Sequence, residues 1–281
     1  MILYDETIRQ SSSDGTPLVD LLRAQGIVPG IKVDLGAKPL PFAPEEQITE
    51  GLDGLRERLV EYRRLGARFT KWRAVLSIGE RRPSWYSIEA NANALARFAA
   101  LSQEAEMVPM VEPEVLMDGP HSIERCYEAT VKTLREVFRQ LAVSRVRLEG
   151  TLLKANMVMS GQGASKRSSA DEVARATVEC LRESVPAAVP GIVFLSGGQS
   201  DAEATRNLDA ISRYAATVGV PWELSFSYGR GLQAAPQRVW SGNPENVTSA
   251  QQAYRHRAKL TAAARSGKYE ASMEREAPEA D

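Results

Sequence analysis

Short apolar runs alternate with longer stretches of helical periodicity along the whole chain. Residues 2–4, 28–34, 69–75, 107–112, 146–153, 192–195 and 222–227 have the length and apolar content of buried strands. Between them, apolar residues recur at helical spacing. Leu52, Leu55, Leu59 and Tyr62 mark one such segment, and Ile88, Leu95, Phe98 and Leu101 the next. Ile123, Tyr127, Val131, Leu134, Phe138 and Leu141 mark a third, followed by Val173, Ala176, Cys180 and Leu181, and then by Ala204, Leu208, Ile211 and Tyr214. A shorter pattern covers 18–24, and roughly the last 45 residues read as helical before a tail.

Strict strand–helix alternation predicts an α/β fold with a parallel sheet and helices outside it. Two windings satisfy that pattern. A doubly wound dinucleotide fold needs a glycine-rich turn after an early strand and an acidic residue about 20 positions further on. Neither 2–4 nor 28–34 ends in such a turn. The favoured reading is a (β/α)8 TIM barrel of which seven βα units are present, one short of the eight such a barrel has. Residues 1–267 are read as one incomplete barrel domain with no internal boundary. Residues 268–281 are read as a mobile acidic tail, and 37–47 and 160–170 as loops.

Composition removes whole classes of function. The 35 basic residues stand against 36 acidic ones, so no global field draws nucleic acid or an anionic membrane surface. No apolar run reaches the length of a membrane helix, and the first ten residues do not form a signal peptide. Two cysteines, Cys126 and Cys180, make no disulfide framework, which points to a cytoplasmic compartment. With only His121 and His256, a three-histidine zinc site is impossible and H-E-x-x-H is absent, so no metal site is expected. Chemistry then falls to carboxylates, lysines or a cofactor.

Lysine placement narrows this further. Only eight of the basic residues are lysines, and three of them lie at strand ends. Those ends read Gly30-Ile31-Lys32-Val33-Asp34, Phe69-Thr70-Lys71-Trp72-Arg73, Val111-Glu112-Pro113-Glu114 and Leu148-Glu149-Gly150-Thr151-Leu152-Leu153-Lys154. In a barrel the C-terminal strand ends carry the active site. Each residue has a plainer alternative. A strand lysine can snorkel to water, Glu112-Pro113-Glu114 can be a solvated strand end, and Glu149 can pair with Arg147. Convergence of several ionisable groups in one parallel sheet favours a shared purpose. A nucleophilic lysine, a second lysine that disfavours its protonation and a glutamate that shuttles protons make a Schiff-base constellation. Ser196-Gly197-Gly198 lies between a strand and a helix start and offers backbone N–H groups to a phosphate, with Gly229-Arg230 after the next strand as its complement. A plain βα turn is the alternative there. Residues 161–166 only faintly resemble a P-loop and are read as a flexible loop.

Those segments, with Phe194-Leu195-Ser196-Gly197-Gly198-Gln199-Ser200 and Phe226-Ser227-Tyr228-Gly229-Arg230, resemble class I fructose-bisphosphate aldolase. The resemblance runs from Ile2 to about Tyr269. It implies that Lys154 is the Schiff-base lysine that attacks the C2 ketone, Glu112 the proton donor and acceptor, Lys71 a substrate-binding lysine beside the nucleophile, and Glu114 an active-site carboxylate. It places Lys32 and Arg73 in substrate binding. Ser196, Gly197, Gly198, Ser227, Gly229 and Arg230 match the phosphate-binding set. The implied activity is reversible cleavage of fructose 1,6-bisphosphate to dihydroxyacetone phosphate and glyceraldehyde 3-phosphate, in glycolysis and gluconeogenesis, with no cofactor and as a homotetramer in the family. The partner expected is a small sugar phosphate, not nucleic acid or membrane. The family carries a further βα segment before the stretch matching Ile2-Leu3-Tyr4, with the first barrel strand and an active-site aspartate. Met1 is therefore expected to be an internal methionine. A non-catalytic truncated barrel that binds sugar phosphate or a protein partner is the alternative.

Overall fold

A computed structural model describes residues 1–275. In chain order the elements are β1 (Ile2–Leu3), α1 (Asp5–Ile8), α2 (Leu18–Ala24), β2 (Gly30–Lys32), β3 (Ala37–Pro39), β4 (Gln47–Thr49), α3 (Leu55–Arg64), β5 (Phe69–Leu76) and α4 (Trp85–Glu104). Then come β6 (Val108–Val115), α5 (Ile123–Val143), β7 (Leu152–Ala155), α6 (Ala170–Ser184), β8 (Gly191–Phe194), α7 (Asp201–Val218), β9 (Glu223–Phe226), α8 (Arg230–Trp240) and α9 (Val247–Arg265). Seven strands share one sheet in the order β1-β2-β5-β6-β7-β8-β9. The pairs from β1 to β7 are parallel. Strand order follows chain order without a reversal. Among the described residues there is no topological switch point, so the doubly wound alternative falls and the barrel winding with its seven βα units stands.

The chain packs as two compact units. One comprises residues 1–115, 132–154 and 185–191; the other takes 116–131, 155–184 and, of the described residues, 192–275. In the first, β5 and β6 are buried on both faces, as strands of a covered parallel sheet must be. Trp72 of β5 is wholly buried and stacks on Phe98 of α4, with ring centroids 5.6 Å apart. Ser84 caps α4 by accepting the Ser87 N–H. The buried Glu46 carboxylate holds that cap, accepting the Ser84 N–H at 2.8 Å and its hydroxyl at 2.5 Å.

Two expectations about this unit need correction. Residues 37–47 are not all loop, because β3 pairs antiparallel with β4 as a small hairpin. Partners distant in sequence organise it. Asn91 of α4 donates to the Gln47 carbonyl at 2.8 Å, and Thr49 donates to the Arg73 carbonyl at 2.7 Å. Residues 146–153 are not one strand either. Residues Leu148–Gly150 form a 3-10 turn and β7 begins at Leu152. The Gln103 amide accepts the Arg147 N–H at 3.0 Å and donates to the Arg147 carbonyl at 2.7 Å. It thus clamps this backbone in a turn and leaves Glu149 exposed.

In the second unit, Ser169 and Glu172 cap α6 reciprocally: Glu172 accepts the Ser169 N–H at 2.8 Å, and Ser169 accepts the Glu172 N–H at 3.3 Å. Ser200 caps α7 at the Glu203 N–H, and Gly219, at φ +69°, ends that helix. Val173, Cys180, Ile192, Phe194, Leu208 and Ile211 are buried there. Packing continues past Lys268, where the acidic tail was placed. Tyr269 is buried, its N–H donates to Asp209 at 2.9 Å and its hydroxyl to Glu274 at 2.9 Å. The buried Arg257 pairs with the same Glu274 at 2.5 Å. Residues 276–281 of that tail lie outside the described residues. Among the described residues, no helix is long and apolar enough to cross a membrane.

Candidate active site

Parallel pairing in the first unit sets Lys32 beside Lys71 and Arg73 beside Glu112. The β6–β7 register, Met110 beside Leu152 and Val111 beside Leu153, carries Lys154 to the level of Glu112. Side chains two apart on a strand share a face. Lys71, Glu112 and Lys154 therefore meet, as the sequence predicts.

The Lys154 ammonium lies 3.0 Å from Glu112 Oε1, and the Lys71 ammonium 3.2 Å from Glu112 Oε2. Lys71 also faces Asp34 Oδ2 at 3.6 Å, and Lys32 pairs with Asp34 Oδ1 at 2.6 Å. The five groups thus alternate in sign from Lys32 through Asp34, Lys71 and Glu112 to Lys154. Lys71, Glu112, Asp34 and Lys154 are at most 9% exposed, so these charges interact in a medium far less screening than water. Glu112 Oε2 accepts no hydrogen bond of good geometry, although the Lys71 ammonium lies 3.2 Å from it. Beside this chain, Arg73 pairs with Glu114 at 2.5 Å. Burial works against the Arg73 charge, but the Glu114 hydrogen bond and charge, reinforced by Glu112 and Asp34, raise its pKa above the ordinary guanidinium value.

The glycine-rich turn belongs to the second unit. It follows β8, with Ser196 buried and Gly197 at φ +55°, a conformation that favours glycine. The Arg230 guanidinium donates to the Gly197 carbonyl at 2.7 Å, which holds the first residue of α8 against the turn. Ser196 Oγ accepts the Gly231 N–H at 3.4 Å. Gly229 offers no side-chain cap, and since the Leu232 and Gln233 N–H groups donate to the Gly229 carbonyl at 3.1 and 3.0 Å, the Arg230 N–H is the first-turn donor of α8 that faces an anion. Ser227 is anchored through its N–H to the Phe194 carbonyl at 2.9 Å. At Gly198 a Cβ would sit 2.2 Å from Gln162 Nε2, so a larger residue would displace that amide.

Two residues escaped the sequence reading as members of the site. Asp34 was visible as a strand-end carboxylate, but nothing local tells that it sits between two lysines of different strands. Gln162 lies in the stretch read as a flexible loop. Its amide donates to the Gly198 carbonyl at 2.6 Å and so braces the glycine turn. The signal for Gln162 is weak, since a glutamine between two glycines fits any loop. Among the described residues, no group of three or more His, Cys, Asp or Glu is placed to hold a metal.

The family model described as "Glycolytic: Fructose-bisphosphate aldolase class-I" matches residues 1–281. The probable class 1 fructose-bisphosphate aldolase of Xanthomonas campestris pv. campestris is 55% identical over 269 residues, spanning 95% of this chain and 80% of that protein. The cytosolic fructose-bisphosphate aldolase 6 of Arabidopsis thaliana is 49% identical over 96% of this chain and 74% of its own length. The structure of fructose-bisphosphate aldolase from Plasmodium falciparum, in complex with TRAP and a small-molecule inhibitor, superposes with a TM-score of 0.93 at 48% identity. It covers 96% of this chain and 77% of that one. A family model that matches the whole chain, and relatives about half identical over nearly all of it, show that the chain belongs to the class I fructose-bisphosphate aldolase family.

Proposed function

We propose that Lys154 is the Schiff-base nucleophile for reversible cleavage of fructose 1,6-bisphosphate. The observation that carries this reading is the shared carboxylate: Glu112 lies 3.0 Å from Lys154 and 3.2 Å from Lys71. Glu112, 3.0 Å from the Lys154 ammonium, is placed to take its proton and so expose the amine. That amine adds to the C2 carbonyl, and loss of water, with Glu112 moving the protons, leaves an iminium. The iminium is the electron sink for breaking the C3–C4 bond. A base removes the C4 hydroxyl proton, glyceraldehyde 3-phosphate departs, and the electron pair remains as an enamine. Protonation at C3 and hydrolysis then release dihydroxyacetone phosphate and restore the amine. No metal is needed as an electron sink in this sequence.

Lys71 and the Arg73–Glu114 pair orient the substrate's hydroxyl groups, and Lys32 serves a phosphate. Ser196, Gly197, Gly198, Ser227, Gly229 and Arg230 take a phosphate through backbone N–H groups and one guanidinium, the chemistry that a helix start and an arginine suit. By likeness to the Arabidopsis relative we place the protein in the cytosol, and by the family we assign it a homotetrameric state.

Borohydride reduction in the presence of dihydroxyacetone phosphate tests the central step. A covalent adduct is expected on Lys154 by peptide mass mapping, and Lys154→Arg abolishes it, because a guanidinium stays charged and does not form the imine. An adduct on another lysine overturns the assignment. Sugar-phosphate binding with no adduct at all favours the non-catalytic alternative.

A further inference from the structure

Asp34 is the most heavily engaged acid of the first unit, and the reaction steps above give it no part. Its side chain is 2% exposed. Oδ1 pairs with Lys32 at 2.6 Å and accepts the Gly36 N–H at 3.2 Å. Oδ2 accepts the Arg73 N–H of β5 at 3.2 Å and faces the Lys71 ammonium at 3.6 Å. Backbone donors on two sides therefore fix where this carboxylate sits, and with Glu112 at 3.2 Å it is one of the two acids that hold the Lys71 charge. The chain before Asp34 is pinned as well, since the Val33 carbonyl accepts Arg58 at 2.8 Å and the Val33 N–H donates to the Lys71 carbonyl at 3.0 Å.

This bears on Glu112. Among the described residues, Lys71 has two carboxylate partners, Asp34 and Glu112, while Lys154 has Glu112 alone. With Asp34 present, the Lys71 ammonium is divided between two acids and Glu112 is divided between two lysines. Without the Asp34 charge, Lys71 is left with Glu112, which is drawn away from Lys154. Proton transfer between Lys154 and Glu112 depends on that 3.0 Å contact.

We propose that Asp34 is a positioning residue: by anchoring the Lys71 ammonium, it keeps Glu112 available to Lys154 during imine formation. The inference rests on the reading of Lys154 as nucleophile and Glu112 as its proton partner. It adds a requirement that neither residue carries by itself. Lys32 does not depend on Asp34's charge to stay in place, because its ammonium also donates to the Asp34 backbone carbonyl at 2.8 Å. Affinity for the phosphate is therefore expected to change little.

The test is the rate of reductive trapping by borohydride, measured against dihydroxyacetone phosphate concentration and against pH. Wild type, Asp34→Asn, Asp34→Glu and Lys154→Arg are compared. Asp34→Asn keeps the shape and removes the charge. Its saturating rate is expected to fall about tenfold or more, as a displacement near 1 Å in a reacting group can cost up to about a hundredfold, while the half-saturating concentration moves less than about threefold. Removing a negative charge favours the less positive forms of its neighbours, so the rising limb of trapping against pH moves to lower pH. Asp34→Glu keeps the charge and displaces it by a methylene. It should slow trapping by about threefold or more with the limb at the wild-type pH.

A saturating rate for Asp34→Asn within about twofold of wild type overturns the proposal, as does a loss with an unmoved limb, since a merely structural role lowers the rate without changing its pH dependence. Should the asparagine variant fail to fold, an unchanged rate in Asp34→Glu overturns it alone. Trapping that persists in Lys154→Arg, or is missing in wild type, is the failure of the underlying nucleophile assignment and is read from those two proteins independently of either Asp34 variant.

Discussion

Replacing Glu112 by Gln tests the centre of the cluster. The substitution preserves shape and removes the one negative charge between two buried ammonium groups. At an effective dielectric near 20, the 3.0 Å contact to Lys154 is worth about 5.5 kcal/mol of Coulomb attraction, and the 3.2 Å contact to Lys71 about 5.2 kcal/mol, before desolvation is subtracted. The two losses are unequal in consequence. Lys71 keeps Asp34 at 3.6 Å, whereas Lys154 keeps no carboxylate among the described residues. One ammonium is thus stranded. Removing one partner of a buried pair costs about 3–5 kcal/mol, and the residual 11% exposure of the Lys154 side chain places this case near 3 kcal/mol. For a chain of this size that lowers Tm by roughly 6–12 °C. Loss of the proton shuttle slows reductive trapping on dihydroxyacetone phosphate by about 10²–10⁴-fold. Thermal unfolding and trapping are measured on the same preparation. A variant that melts within about 2 °C of wild type and traps within about threefold would refute the shared-carboxylate reasoning.

Three further predictions follow from groups outside the cluster. Burial, aided by the Arg125 and Arg167 charges and opposed by Asp118, lowers the His121 pKa below 6.5. Its native form is neutral, so the unfolded state binds the extra proton. The contribution is complete above pH 6.5 and is lost as pH falls through the lower folded value. Wild type should therefore lose stability relative to His121→Phe as pH falls below about 6.5 in urea titrations, and parallel pH curves would contradict this. Burial also raises the thiol pKa of Cys126 and of Cys180, so a thiol reagent at pH 8 should leave both unmodified in the native protein and label both in denaturant. Fast native labelling is the opposing outcome. Ser84→Ala removes the α4 cap and its link to Glu46, and should cost about 1 kcal/mol in denaturant unfolding; a change below about 0.3 kcal/mol would show the cap to be dispensable.

The alternation of apolar runs with helical periodicity was enough to place six of the seven strands of the sheet, because a strand buried on both faces must be apolar and a covering helix must repeat near 3.6 residues. The strand-end lysines and acids were equally legible. A parallel sheet brings consecutive strand ends together, so Lys71, Glu112 and Lys154 group together on sequence alone. Local pattern misled at the Leu148–Gly150 turn, where Gln103, some 45 residues away, takes the backbone polar groups that a strand would pair. It was silent on the β3–β4 hairpin, which depends on Asn91 and on the Arg73 carbonyl. It identified Asp34 as an acid at a strand end but not as the carboxylate between Lys32 and Lys71, nor could it identify Gln162 as the brace of the glycine turn. Sequence alone determined which residue types stand at the ends of which strands, since that follows from periodicity. Which lysine shares which carboxylate was decided by the tertiary structure, because strand register and the backbone donors that orient each acid come from residues far apart in the chain.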